Sequence, residues 1–372
     1  MARMRLADIA AQAGVSPATV SKYLNGHYRE MSETTRNRIA EVVERTGYRP
    51  NSVARNLRLD RSRMLGVILA DIRNPYSSAM LEELSAQAAS MGYTLTCAIS
   101  GNDSAKETAA IERLLEAGAD GLIVNTCGGN AEHLRAANRR APVLLLDRDL
   151  DRTPGEFTAG SGPSEPAPAG SASAGPATEN PSFPALDLVT SDNASLVSAL
   201  VHEVAGADYA TCTRIHLLTE AESTSSIRRE RALTFMRELS AHGLAGSTLT
   251  LPSDPREAAR HLAELADAYI PLGLIAINGL VFQHLVEAIA LSGLLVPERL
   301  RIATFDEYSW NRVLFGGVTT AAQDTSAIAK AALDRLTARI ASDSADSTSA
   351  GKATAWRCEI PGAVIPRAST RD

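Results

Sequence analysis

Three polar residues close apolar, strand-like runs: Asn125, Asp147 and Asn278. Asp306 follows a fourth such run at 301–305. Open α/β sheets bind ligands outside the carboxyl ends of their strands, so this placement points to a site for a small polar molecule. Arg228, Arg229 and Arg231 begin a predicted helix at the same end of another strand. Cations at a helix start oppose the dipole, so a function that outweighs this cost is the reading for the cluster. An arginine there can grip a carboxylate with two parallel N–H bonds. A solvated basic face remains the alternative for Arg228 and Arg229.

Nothing in the chain suggests bond-breaking chemistry. There is no G-x-S-x-G, Walker A or H-E-x-x-H pattern. Gly128-Gly129 follows a strand but is a lone pair. His133, His202, His242 and His261 fall on predicted helices as solvated or helix-end residues. Cys97, Cys127, Cys212 and Cys358 are far apart and have no histidine at ligand spacing. The expectation is no enzyme, no cofactor, no metal, and thiols kept reduced in a cytoplasmic protein.

The polar positions hang on alternating elements. Strands are predicted at 64–70, 93–99, 121–125, 142–147, 214–218, 248–251, 273–278 and 301–305. Helices lie between them, at 105–117, 131–139, 193–204, 228–242, 255–269 and 279–291, with a further one from about 76 to 92. Such alternation gives parallel sheets covered on both faces, here two α/β lobes with a cleft between them. Residues 154–184 interrupt the pattern with 7 of the chain's 17 prolines among Gly, Ser and Ala. They are expected to form a disordered excursion within one domain, and 342–352 a smaller loop. No apolar run reaches about 18 residues, so no membrane span is expected. The N-terminus has scattered charges and no apolar core, unlike a secretory signal.

The head differs in sign from the body. Residues 1–63 hold 12 Lys/Arg against 6 Asp/Glu, whereas the whole chain has 37 against 43, a net charge of −6. A basic head on an acidic body suggests that the head meets a polyanion. Leu6, Ile9, Ala10 and Ala13 share one helical face, and Gly14 can make the left-handed turn that ends the helix. Ser16-Pro17 starts a second helix as N-cap and first residue. That helix, to Leu24, buries Val20 and Leu24, exposes Ala18, Thr19, Ser21 and Lys22, and closes at Asn25-Gly26. A third helix starts at Ser32 and runs to Gly47. Two short helices joined by a tight turn make a helix-turn-helix, whose second helix fits a major groove. The following stretch, 48–58, is too short to be a stable helix alone and suits folding on docking. Ala54 and Leu57 could face a minor groove, with Leu57 wedged between base pairs, while Arg49, Arg55 and Arg58 meet phosphates.

These motifs resemble the LacI/GalR family of transcription regulators. The resemblance is carried by Leu6-Ala7-Asp8-Ile9-Ala10, Ala13-Gly14-Val15-Ser16, Thr19-Val20-Ser21, Leu24-Asn25-Gly26 and Gly47-Tyr48-Arg49-Pro50-Asn51. It implies an all-α helix-turn-helix head with a hinge helix, on an α/β two-lobed, periplasmic-binding-protein-like effector domain. The divisions are 1–48, a hinge and linker at 49–63, and 64–372. It also implies a homodimer on a pseudo-palindromic operator of double-stranded DNA, and a small sugar or sugar-acid effector. The implied DNA-binding residues are Ser16, Pro17, Ala18, Thr19, Ser21, Lys22, Asn25, Asn51, Ala54, Arg55 and Leu57. Of the base-reading positions, Pro17 and Ala18 offer no side-chain hydrogen bond. Lys22 can donate to guanine without arginine's fork.

In the body, Asn74-Pro75-Tyr76 resembles the family's N-P-F/Y. Arg231-Ala232-Leu233-Thr234-Phe235 resembles its R-x-x-G-F, with Thr234 in place of Gly. Asn278 matches the Asn of N-D, but Gly279 stands where the acid is common. Asp306 matches F-D-D/E, and Gln323, in Thr319-Thr320-Ala321-Ala322-Gln323, matches T-T-x-x-Q. The implied effector site is Tyr76, Asn125, Asp147, Arg229, Arg231, Asn278, Asp306, Trp310 and Gln323, with Trp310 a surface for a sugar face. Asn125-Thr126, Thr219-Glu220, Asn278-Gly279 and Phe305-Asp306-Glu307-Tyr308-Ser309-Trp310 look most like the branch of 2-keto-3-deoxygluconate and related uronate-pathway regulators. The reading is a repressor of carbohydrate genes. A solute-binding protein without DNA function and a sugar-processing enzyme are the alternatives. The head argues against the first, and the missing catalytic cluster against the second.

Overall fold

The computed structural model describes residues 4–24, 28, 31–47, 61–150, 186–212, 214–220, 225–343 and 355–371. The chain divides into two compact units, Met1–Arg63 and Met64–Asp372.

The first unit holds α1 (Leu6–Ala13), α2 (Pro17–Leu24) and α3 (Glu33–Thr46). Gly14 ends α1 in the left-handed region at φ 62°. Ser16 Oγ then accepts from the Thr19 N–H at 3.1 Å and caps α2. Ser32 caps α3, with Oγ accepting from the Thr35 N–H at 3.2 Å. Ile9, Ala10, Ala13, Val20, Ile39 and Val42 form a separate apolar core, with Leu24 packed at its margin. Ala18 and Lys22 are exposed as expected, whereas Thr19 and Ser21 are half-buried. The Thr19 hydroxyl lies 2.9 Å from Ser16 Oγ, a bond within the turn itself. The expected contacts at Asn25, Asn51, Ala54, Arg55 and Leu57 lie outside the described residues, as do the hinge helix and the 154–184 insertion.

The second unit contains two six-stranded sheets. Lobe 1 is built from β1 (Met64–Leu69), β2 (Thr94–Ile99), β3 (Gly121–Val124), β4 (Val143–Leu146), β5 (Asp187–Ser191) and β11 (Arg357–Ile360), in the order β11-β5-β4-β3-β1-β2. Lobe 2 is built from β6 (Arg214–Leu218), β7 (Ala245–Leu249), β8 (Leu272–Ala276), β9 (Leu300–Phe305), β10 (Thr319–Ala322) and β12 (Ala363–Ile365), in the order β12-β10-β9-β8-β6-β7. All pairings are parallel except β10 with β12. The two orders match strand for strand, so β4 and β9 occupy equivalent places. Strands such as β1, MLGVIL, are apolar throughout because helices cover both faces.

Helices α4 (Pro75–Ser90), α5 (Ser104–Glu116) and α6 (Ala131–Ala137) cover lobe 1. Helices α7 (Asn193–Ala205), α8 (Ser226–Ala241), α9 (Pro255–Ala268) and α10 (Gly279–Ser292) cover lobe 2. Helix α11 (Thr325–Asp343) follows β10 yet packs on α4 and the lobe 1 sheet. Asp187, at the start of β5, accepts from Arg335 Nε at 2.7 Å and from the Trp356 N–H at 2.8 Å, fixing α11 and β11 to lobe 1. The chain therefore crosses between lobes three times: at Asp192, at Gln323-Asp324 and at Pro361-Gly362. The Asp192 N–H donates to Ile360 O at 2.9 Å, joining the first crossing to the third.

One predicted strand is displaced. Residues 248–251 were expected, but β7 runs 245–249. Gly246 sits where a Cβ would meet Ile215 O at 1.8 Å, so the strand pairs closely only with glycine there. Among the described residues, no helix is long and apolar enough to cross a membrane.

Candidate functional site

Asp147 follows β4 and Asp306 follows β9, at equivalent positions of the two lobes. Both adopt positive φ, 67° and 73°. Each backbone N–H is anchored to the neighbouring strand, Asp147 to Val189 O at 2.7 Å and Asp306 to Ala321 O at 2.9 Å. This conformation is costly for a residue with a Cβ and is tolerated best by Asp and Asn. It turns two buried carboxylates toward the interlobe cleft. Burial raises both pKa values above the ordinary carboxylate range, while Arg231 opposes the rise in each.

Arg231 is buried between them, in the second turn of α8. Its Nε donates to Asn193 Oδ1 at 2.7 Å, Nη1 to Ile277 O at 2.8 Å and Nη2 to Gln323 Oε1 at 3.2 Å. The guanidinium lies over the Phe305 ring, 3.7 Å from its centroid. Three of its five N–H groups are thus held by the protein, leaving two. Burial lowers its pKa, and Asp306 and Asp147 counter that effect.

Gln323 is a junction at the second crossing. Its Oε1 accepts from Ser191 Oγ at 2.7 Å as well as from Arg231, and its Nε2 donates to Asp306 Oδ1. Asn278 caps α10, with Oδ1 accepting from the Val281 N–H at 3.0 Å and Nδ2 donating to Glu220 Oε1 at 3.0 Å. Asn125 donates to Leu146 O at 3.0 Å. Both asparagines therefore shape the cleft walls with side chains already engaged. Tyr76 is buried at the start of α4, its pKa raised by burial and by Asp147 and Asp306. Arg148 reaches Thr126 O at 3.1 Å and Asn102 Oδ1 at 3.2 Å. The Asp149 N–H of lobe 1 donates to Ser226 Oγ of lobe 2 at 2.8 Å, directly across the cleft.

Two expected site residues sit differently. Arg229 is exposed on α8; Arg228 points to the cleft instead, paired with Glu220 and felt electrostatically by Asp71, Asp147 and Arg148. Arg228, three residues before Arg231, shares its helical face, whereas Arg229 does not, and helix α8 begins at Ser226, two residues earlier than expected. That start places Arg231 past the first turn, where the dipole cost argued from sequence is smaller. Trp310 is 39% exposed and leans on Tyr308, with ring centroids 5.0 Å apart.

Sequence reasoning missed Glu107 and Tyr308. Glu107 is fully buried; its carboxylate accepts from Thr126 Oγ1 and the Cys127 N–H at 2.7 Å each, and from Asn130 Nδ2 at 2.9 Å. It holds the loop that follows Asn125, and with burial it pushes the Cys127 thiol up to about 12. On an amphipathic helix its sequence signal was that of any surface acid. The signal for Tyr308 was its place two residues after Asp306.

A helix-turn-helix head joined to a two-lobed, ligand-cleft body is the build of a ligand-responsive DNA-binding regulator. Residues 5–51 match the family described as bacterial regulatory proteins, lacI family. Residues 62–268 match periplasmic binding proteins and the sugar binding domain of the LacI family, and 210–370 match a periplasmic binding protein-like domain. The HTH-type transcriptional regulator PtxS of Pseudomonas plecoglossicida is 30% identical over 91% of this chain and 89% of its own. The HTH-type transcriptional regulator KdgR of Bacillus subtilis (strain 168) is 28% identical over 90% and 91%. The lac repressor dimer bound to operator and the anti-inducer ONPF has the same fold, with a TM-score of 0.74, 19% identity and 99% of both chains covered. The chain belongs to the LacI family, and it is a helix-turn-helix transcription regulator, not an enzyme.

Proposed function

We propose that the protein acts in the cytoplasm as a homodimeric repressor of carbohydrate genes, released or engaged by a sugar-acid effector held between its lobes. The observation that carries the effector reading is Arg231: buried, flanked by Asp147 and Asp306, and keeping two N–H groups for a ligand. A carboxylate there would receive a charge-assisted pair of bonds. Tyr76, Asn125, Asn278 and Gln323 shape the cleft around it, and Arg228 takes the place first given to Arg229. Because Arg231 also ties Asn193 to Gln323 at two of the crossings, a ligand on its free edge acts where lobe movement is set.

In the head, Ala18 and Lys22 face outward on α2 and are the proposed groove-facing pair. Ser16, Pro17, Thr19 and Ser21 set the helix start and its phosphate side. A pseudo-palindromic operator matches two such heads.

Calorimetry with D-galacturonate against D-galactose, combined with a gel shift on the protein's own upstream DNA, tests the reading. Arg231→Ala should abolish the acid's binding and its effect on the gel shift, while the effector-free protein still binds operator. A buried carboxylate left unpaired costs about 3 kcal/mol, or about a hundredfold in affinity. Tight galactose binding that survives Arg231→Ala would sink the acidic-effector reading and leave the regulator standing.

A further inference from the structure

The cleft contains three buried polar atoms that make no hydrogen bond among the described residues: the hydroxyls of Tyr76 and Tyr308, and Asp147 Oδ1. Tyr76 and Asp147 belong to lobe 1 and Tyr308 to lobe 2, so the three meet only across the cleft. The Tyr308 phenol lies beside the Asp306 carboxylate, whose charge it favours, and beside the Tyr76 backbone, while burial and then Asp306 keep the phenol protonated. Buried polar groups are almost always satisfied, and leaving one unpaired costs as much as a lost bond. Three together mark a place where a ligand supplies the missing partners.

Tyr308 can be there because position 279 is glycine. A Cβ on Gly279 would stand 2.8 Å from Tyr308 Oη and 3.0 Å from its Cε2. An acid at 279 would occupy the phenol's space. The negative charge such an acid would bring is supplied instead by Asp306, which accepts from the Gly279 N–H at the start of α10.

We propose that Tyr308 is a specificity-determining residue of the effector site: with Tyr76 and Asp147 it reads adjacent hydroxyls of the ligand, and Gly279 admits it. The inference rests on the sugar-acid reading and adds an orientation to it. The ligand's carboxylate lies toward Arg231, and its hydroxyl-bearing end lies toward the two phenols. A phenol both donates and accepts, as a sugar hydroxyl does, and Asp147 Oδ1 accepts a hydroxyl proton. The class is therefore a polyhydroxy acid.

The test uses the full chain with D-galacturonate, D-gluconate and D-glucose as probes. Tyr308→Phe should keep the ligand-free melting temperature, or raise it, because it deletes an unpaired buried hydroxyl. It should weaken binding of galacturonate or gluconate at least about tenfold, since a site built to pair with a hydroxyl suffers when the pairing is removed. Gly279→Ala should lower the ligand-free melting temperature, and Tyr308→Ala in the same chain should remove most of that loss. Unchanged affinity in Tyr308→Phe or an equal Gly279→Ala effect in both backgrounds would each overturn the proposal. Silence of all three probes on the wild-type protein would instead strike the sugar reading itself, and the melting-temperature cycle would still decide whether Tyr308 occupies the space at Gly279.

Discussion

Arg231 keeps its fork because three other groups hold it: Asn193, the Ile277 carbonyl and Gln323. Arg231→Lys preserves charge but has neither the planar geometry nor enough donors for the same set. Its galacturonate affinity, measured by calorimetry, should fall at least about tenfold; wild-type affinity would show that charge alone suffices. The two carboxylates beside it make a second prediction, with a definite sign. Burial raises their folded-state pKa values above the ordinary carboxylate range. The folded protein then binds more protons than the unfolded chain, so their contribution is fully present at acid pH and is lost as pH rises through the raised values. Asp147→Asn removes one such group. The melting temperature of the variant relative to wild type should therefore climb from about pH 4 to neutrality, and a pH-independent difference would show that Asp147 is not strained by its burial. Asn125, Asp147, Asn278 and Asp306 could be singled out in the sequence because each ends an apolar run. The choice between Arg228 and Arg229 also lay in the spacing, since Arg228 stands three residues before Arg231 on the same helical face and Arg229 does not. Tyr308 and Glu107 act through contacts with residues far away in the chain, which spacing does not record.

Helix α2 shows how much local signal the elements carry. Gly14, Ser16 and Pro17 specify its start, and the structure uses each in the expected role. Ser16→Ala should cost about 1 kcal/mol of head stability in urea unfolding, the usual worth of an N-cap; no measurable loss would mean that the turn is held by the apolar core instead. On the same helix, exposed Lys22 is proposed to read a base. Lys22→Ala should relax sequence preference at one operator position, at about 1–3 kcal/mol. Uniform weakening on all sequences, in a binding assay with single-base operator variants, would place Lys22 on a phosphate. Long apolar strands such as β1, β6 and β9 were legible in the same way. The sequences of β5 (DLVTS), β10 (TTAA), β11 (RCEI) and β12 (AVI) are short and mixed, and they gave no pattern to read. They become strands because their neighbours in the sheet supply the pairing. Displaced β7 was obscured by Gly246, which belongs to the close approach to Ile215.

At the scale of the whole molecule, charge is divided between head and body, the first 63 residues carrying 12 Lys/Arg against 6 Asp/Glu. Operator affinity should fall log-linearly with salt as counterions return to the DNA. Salt-insensitive binding in a titration between about 50 and 200 mM would contradict a phosphate-dominated interface. The three crossings between lobes have a further result, which concerns how the protein comes off the ribosome. The head has its own core, which is complete once α3 has emerged. Lobe 1 is different: its sheet lacks β11, and its covering helix α11 is missing, until residues 325–360 have been made. Lobe 2 waits for β12 at 363–365. Each lobe thus begins early and is finished late, and no stopping point between them leaves one whole. A nonsense codon anywhere in the middle of the gene would release a finished DNA-binding head on an unfinished body, a fragment that quality-control proteases should clear before it could occupy an operator without answering to any effector.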